Sequence, residues 1–117
     1  MKKIFLCLML LITAACFENA PAVAVSPEEG RKIIASTPDL FLIDVRKPEL
    51  FAQKHYPDAV NIPVSEMGSQ IYTIPADRPI LMYCRSGNSV KTAYAILKKL
   101  RPELLKNVRY INGTPLF

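Results

Sequence analysis

Cys84-Arg85-Ser86-Gly87-Asn88-Ser89 sets a thiol at the end of an apolar run and follows it with a cation, hydroxyls, a glycine and an amide. If the run is a strand and a helix follows, backbone N–H groups without helical partners point into the loop between them. Gly87 permits the positive φ of a tight cradle, and Asn88 tolerates it better than most residues. Such a nest, backed by the helix dipole, attracts anions and holds a thiol as thiolate near neutrality. Arg85 adds a cation able to grip an anionic substrate through paired hydrogen bonds. The Ser86 and Ser89 hydroxyls can donate to a sulfur anion. The chemistry described is a nucleophile, Cys84, aimed at an anionic substrate held by residues 85–89. The plain alternative is an inert buried thiol that ends a strand beside a surface connection.

The elements around the loop follow from pattern. Ser26-Pro27-Glu28-Glu29 starts a helix, with Ser26 as N-cap and Pro27 first in the helix. That helix is predicted to reach Ser36, with Ile33 and Ile34 inward. The run Leu40 to Val45, interrupted only by Asp44, reads as a strand buried on both faces. Pro48 to Gln53 is a short helix, Ala59 to Pro63 a brief strand, and Ser65 to Ile71 a helix weakened by Gly68. Pro79 to Cys84 is a second buried strand. Val90, Ala93, Tyr94, Leu97 and Leu100 then recur at helical spacing, with Lys91, Lys98 and Lys99 outward. Val108 to Ile111 is a last strand before Asn112-Gly113. Alternating strands and helices predict an α/β fold with a mainly parallel sheet of about five short strands and helices on both faces. Ligands of such sheets gather at the carboxyl ends of the strands, where Cys84 and the Asp44-Val45-Arg46 turn both fall.

The chain has 117 residues, half of them hydrophobic, which suits one small globular domain. Residues 1–24 read as an export signal: basic Lys2-Lys3, an apolar stretch from Ile4 to Ala15, then small residues. The apolar stretch is shorter than the roughly 20 residues that span a bilayer. Cleavage is expected near residues 22–24. Alternatively, Thr13-Ala14-Ala15-Cys16 resembles a lipobox, and Cys16 would then carry lipid and tether the protein to a membrane. Residues 25–117 form the folded domain, in which Cys84 is the one cysteine. A lone thiol outside the cytoplasm is a reactive group rather than half of a staple. Loss of Lys2, Lys3 and Glu18 lowers the net charge from +5 to +4, and the remaining basic residues are spread along the sequence, so no nucleic-acid partner is expected.

Asp44-Val45-Arg46-Lys47-Pro48-Glu49 followed by His55-Tyr56-Pro57-Asp58-Ala59-Val60-Asn61-Ile62-Pro63 resembles the rhodanese homology domain, and the Cys84–Ser89 loop is similar to that family's six-residue active-site loop. The resemblance covers about residues 25 to 113. It implies a sulfurtransferase in which Cys84 takes the outer sulfur of thiosulfate as a persulfide and passes it to cyanide or a thiol, and the export signal would place it in the periplasm. No metal or organic cofactor is implied. Arg85 maps onto a substrate-contacting position. Asp44 and Arg46 are expected to organise the neighbouring loops, with Glu49 a candidate partner for Arg46, and His55 to make a structural hydrogen bond. Lys54 and Asp58 stand where the family usually has glycines beside that histidine. Ser89 replaces an arginine found in many small members. The family's closing helix is expected to be missing or very short, leaving the core less covered.

Two further classes bear on the same residues. Phosphatases and arsenate reductases on this kind of scaffold place an arginine six positions after the cysteine, where this chain has Val90. A non-catalytic or relay module that docks another protein is compatible with the loop, because persulfide transfer to a protein thiol needs the same cysteine.

Overall fold

A computed structural model describes residues 22–117. The basic and apolar stretch expected to be an export signal, with Cys16, lies outside them apart from its last residues. Five strands form one sheet: β1 (Ala24–Val25), β2 (Phe41–Asp44), β3 (Val60–Asn61), β4 (Ile80–Tyr83) and β5 (Val108–Ile111). Their order is β1-β5-β4-β2-β3, and every pairing is parallel. The central strand, β4, therefore delivers Cys84 between the exits of β2 and β5.

Alternation along the strands splits the core into two layers. Ile43, Val45, Met82 and Cys84 face one side with Val90, Ala93 and Leu97 of α3 (Ser89–Leu100). Leu42, Leu81, Tyr83 and Ile111 face the other, with Ile33 of α1 (Pro27–Ser36). Both faces of the sheet are thus covered, which is why β2 and β4 read as continuous apolar runs. The short helix α2 (Pro48–Gln53) buries no residue.

Local chemistry fixes the ends. The Ser26 hydroxyl accepts the Glu29 N–H at 3.0 Å, capping α1. Pro38 follows the extended Thr37 and stops that helix, and Pro102 does the same after Arg101 for α3. Gly30 lets α1 approach β5 closely: a Cβ there would lie 2.6 Å from the Ile111 side chain, which would have to shift.

Three features differ from the sequence expectation. The Ser65–Ile71 helix is instead two 3₁₀ turns, Val64–Glu66 and Ile71–Thr73. Gly68 weakens any continuous helix there. The second of these turns is also held from a distance, because buried Arg101 donates to the Ile71 and Ile74 carbonyls, both at 2.8 Å. The strand β1 arises partly within the segment assigned to the signal. Tyr110 N–H donates to the Val23 carbonyl and Asn112 N–H to that of Val25, so cleavage after Ala24 would remove half of β1, whereas cleavage after Ala22 would leave it whole.

Finally, the core near the chain's last residues is covered without a helix. Phe117 packs edge-on against Tyr56 and Tyr83, with ring centroids 4.9 and 5.6 Å away. Leu116 N–H donates to the Tyr56 hydroxyl at 2.9 Å.

Pro57-Asp58 forms the middle of a turn closed by the Ala59 N–H on the Tyr56 carbonyl at 3.1 Å. Asp58 takes φ 68° there, the left-handed region in which glycine is favoured. Asp58→Gly should therefore stabilise the domain by about 0.5–1 kcal/mol, read as a higher urea midpoint with unchanged slope. A lower midpoint would show that the aspartate side chain contributes more than its backbone costs.

Candidate active site

Cys84 follows β4 directly, and α3 begins five residues later at Ser89. Only Gly87 in this loop takes positive φ, 97°. Its N–H turns back on the Cys84 Sγ at 3.0 Å. A Cβ on Gly87 would come within 2.6 Å of the Gly113 backbone nitrogen. The loop is thus seated against the exit of β5, and only glycine fits on both counts. Asn88 adopts a right-handed conformation instead, and its side chain makes no cap. Ser89 is the first residue of α3 rather than part of the loop.

Sγ lies at the floor of this turn, 2% exposed and part of the apolar layer under α3. Arg85, Ser86, Asn88 and Ser89 are exposed around it. Among the described residues the Arg85 guanidinium has no ion-pair partner, and neither the Ser86 nor the Ser89 hydroxyl reaches the sulfur. A backbone N–H takes the role that the hydroxyls were expected to play. The arrangement is a shielded thiol with a donor aimed at it, beneath a rim carrying one unpaired cation.

Asp44 and Arg46 form a separate cluster at the exit of β2. The Asp44 carboxylate is fully buried and accepts from the Arg46 backbone N–H at 2.9 Å, from Nε at 3.0 Å and from a terminal nitrogen at 2.7 Å. The same guanidinium donates to the Lys54 carbonyl. Glu49, expected to pair with Arg46, is displaced by a carboxylate two residues away that is already buried in the right plane. The pair raises the Arg46 pKa above its usual value, chiefly through the hydrogen bond to Asp44.

Strand alternation puts the Asp44 side chain on the Tyr83 face, away from Sγ. What joins the two clusters is backbone: Val45 N–H donates to the Tyr83 carbonyl, one residue before the cysteine. His55 holds its own segment, with Nδ1 on the Phe51 carbonyl at 2.7 Å and its ring stacked on Phe51 at 3.7 Å.

Several residues of this neighbourhood were not assigned by sequence reasoning. The Asn61 amide donates to the Asp44 and Arg46 carbonyls, each at 3.0 Å. Tyr83 accepts the Tyr56 N–H at 3.1 Å, and burial, with the adjacent Asp44 charge, pushes its phenol well above the ordinary value. Arg46 also lies over the Phe117 ring at 5.0 Å. A tyrosine inside an apolar strand was the available signal, since a buried phenol requires a partner.

Two clefts lie elsewhere. One of about 510 Å³, lined by Thr37, Leu40, Asp58 and Arg78, and one of about 270 Å³, lined by Lys106 and Arg109, lie where strands begin, at the edge opposite Cys84. Among the described residues no three His, Cys, Asp or Glu gather as a metal set.

Residues 26–114, from the cap of α1 to just past the β5 exit, match the Rhodanese-like domain. The chain belongs to that family. Curated relatives of this rhodanese-like domain include a Sulfurtransferase of Allochromatium vinosum, 39% identical over 62% of this chain and 68% of that protein. Thiosulfate sulfurtransferase PspE of Escherichia coli is 37% identical over 50% of this chain and 58% of its own length. Thiosulfate sulfurtransferase GlpE of Pseudomonas syringae is 36% identical, with the match spanning 53% of that protein. Among solved structures, the human single-domain sulfurtransferase TSTD1 superposes with a TM-score of 0.64 at 28% identity, covering 80% of this chain and 92% of that one. Sulfur transfer is the activity for which these four relatives are named.

Gly87→Ala is expected to lose about 1–3 kcal/mol of stability through forced positive φ and collision with Gly113. Its displaced loop should also slow the reaction of Cys84 with sulfane-sulfur donors by about tenfold or more. Urea melts and the rate of mass gain check the two effects separately.

Proposed function

We propose that the domain is a sulfurtransferase working through a persulfide on Cys84, with thiosulfate as a competent donor and cyanide or a thiol as acceptor. The Cys84 thiolate attacks the outer sulfur of thiosulfate. A new S–S bond forms to that sulfur as its bond to the sulfonate sulfur breaks, and sulfite leaves with the electron pair. An acceptor thiolate or cyanide then attacks the outer persulfide sulfur, and Cys84 departs as thiolate. Charge is conserved in each step, and the chain's own groups suffice.

The observation that carries this reading is the Gly87 N–H directed at Sγ at 3.0 Å within a loop that opens a helix. A donor fixed in that position stabilises negative sulfur before attack and as leaving group. Arg85, exposed and unpaired at the rim, offers an anionic donor a paired hydrogen-bonding fork. Ser86, Asn88 and Ser89 complete the rim. Asp44 and Arg46 act as positioning residues: they fix the β2 exit, which hydrogen-bonds the strand carrying Cys84.

The same reading holds the protein to be exported to the periplasm. It is supported by the basic, apolar and small-residue succession at the start of the chain. A tether through lipid on Cys16 is the variant of that reading.

Incubation with thiosulfate should make the mature protein one sulfur atom heavier by intact-mass measurement, and Cys84→Ser should abolish the gain. The unreacted mass also reads where the signal is cut and whether lipid is attached. No mass gain with thiosulfate or any other sulfane-sulfur donor would overturn the proposal.

A further inference from the structure

From Arg78 to Pro102 the chain contains no acidic residue, while Arg85, Lys91, Lys98 and Lys99 are all exposed. Among the described residues none of these four joins an ion pair; the three pairs are Arg31–Glu28, Arg46–Asp44 and Arg101–Glu103. The folded chain gathers them. Arg85 stands at the rim over Cys84, Lys91 lies in the first turn of α3, and Lys98 and Lys99 lie in its last. Lys91 and Lys98 are seven residues apart and share a face of the helix.

Two features argue that this stripe recognises something larger than the sulfur donor. First, Lys98 and Lys99 are about 10 Å along the helix from Lys91, beyond what a small anion in the Cys84 loop can span. Second, Lys91 occupies the N-terminal turn, where the helix dipole disfavours a cation, and no acidic residue in that turn offsets it. The dipole accounts for Lys98 and Lys99 but works against Lys91. The stripe begins beside the rim of the site and runs along α3 to its last turn.

We infer that the exposed face of α3, together with Arg85, is a docking surface for an acidic protein that presents its acceptor thiol to Cys84. The inference rests on the persulfide chemistry proposed above and names its acceptor class. Complementary charge raises the encounter rate and fixes orientation, which is what transfer from a recessed sulfur to a protein thiol requires. A membrane surface would also attract lysines, but it carries no thiol and gives no reason for the stripe to begin at the active-site rim.

The test uses the full mature protein and synthetic peptides carrying one cysteine flanked by glutamates, by lysines or by glycine and serine. Docking is read without chemistry by fluorescence anisotropy of the same peptides with serine in place of cysteine. The glutamate peptide should bind, weaken steeply with added salt, and lose about tenfold in affinity in Lys98→Glu/Lys99→Glu. Lys98→Gln/Lys99→Gln, which adds no charge adverse to the helix end, should show a smaller loss in the same direction.

Persulfide transfer to the glutamate–cysteine peptide should fall in parallel, while transfer to 2-mercaptoethanol is unchanged. Equal binding of acidic and basic peptides, or full binding in both double variants, overturns the inference. So does binding to phosphatidylglycerol vesicles that falls in the variants while peptide binding does not. Persulfide formation without peptide docking sinks only the surface, and docking without persulfide formation sinks the proposed chemistry and with it the role of the bound partner as sulfur acceptor.

Discussion

A carboxylate with no exposed surface closes β2, and much of the molecule is arranged around it. Burying an unpaired charge costs several kcal/mol, so Asp44 is tolerable only because Arg46 meets it with a fork of donors and a backbone N–H. Arg46 is in turn held by the Lys54 carbonyl on one side and the Phe117 ring on another, and the Asn61 amide spans the carbonyls of both partners. The exit of β2 is thereby made rigid without placing any of these charges against the sulfur. The next residue, Val45, hydrogen-bonds the strand that ends in Cys84. Rigidity reaches Cys84 through main chain, which transmits position but little field.

This separation gives each cluster one task. The ion pair stiffens the scaffold on the Tyr83 face, and the Gly87 turn supplies the electrostatics on the α3 face. Had Arg46 pointed at the thiol, its strong attraction to Asp44 would have competed with any anionic substrate. Arg85, which has no partner among the described residues, is the cation left available. The fit of Gly87 against Gly113 adds a second anchor from β5, so the turn is held from both neighbouring strands.

What could be read from the sequence was what is local. The Ser26-Pro27 start, the apolar runs of β2 and β4, and the spacing of Val90, Ala93 and Leu97 all encode their elements within a few residues, and each element appears where expected. The 3₁₀ region was not legible, because Arg101 reaches the Ile71 and Ile74 carbonyls across thirty and twenty-seven residues and nothing near either end announces it. β1 was hidden for a different reason: two residues at the border of an apparent leader gain strand character only by pairing with β5. In the site, residue types pointed to an anion-holding turn around Cys84. They did not say that a main-chain N–H rather than a hydroxyl would meet the sulfur, nor that Glu49 would be displaced by Asp44, since both depend on where backbone turns aim their atoms.

The depth of Cys84 has a bearing on whether two copies can join through sulfur. Linking two chains through sulfur requires their β-carbons to approach within about 4 Å. A thiol that is 2% exposed beneath Arg85 and Ser86 cannot meet its counterpart in another copy at that range. Covalent dimerisation through Cys84 is thus opposed by its depth in the turn.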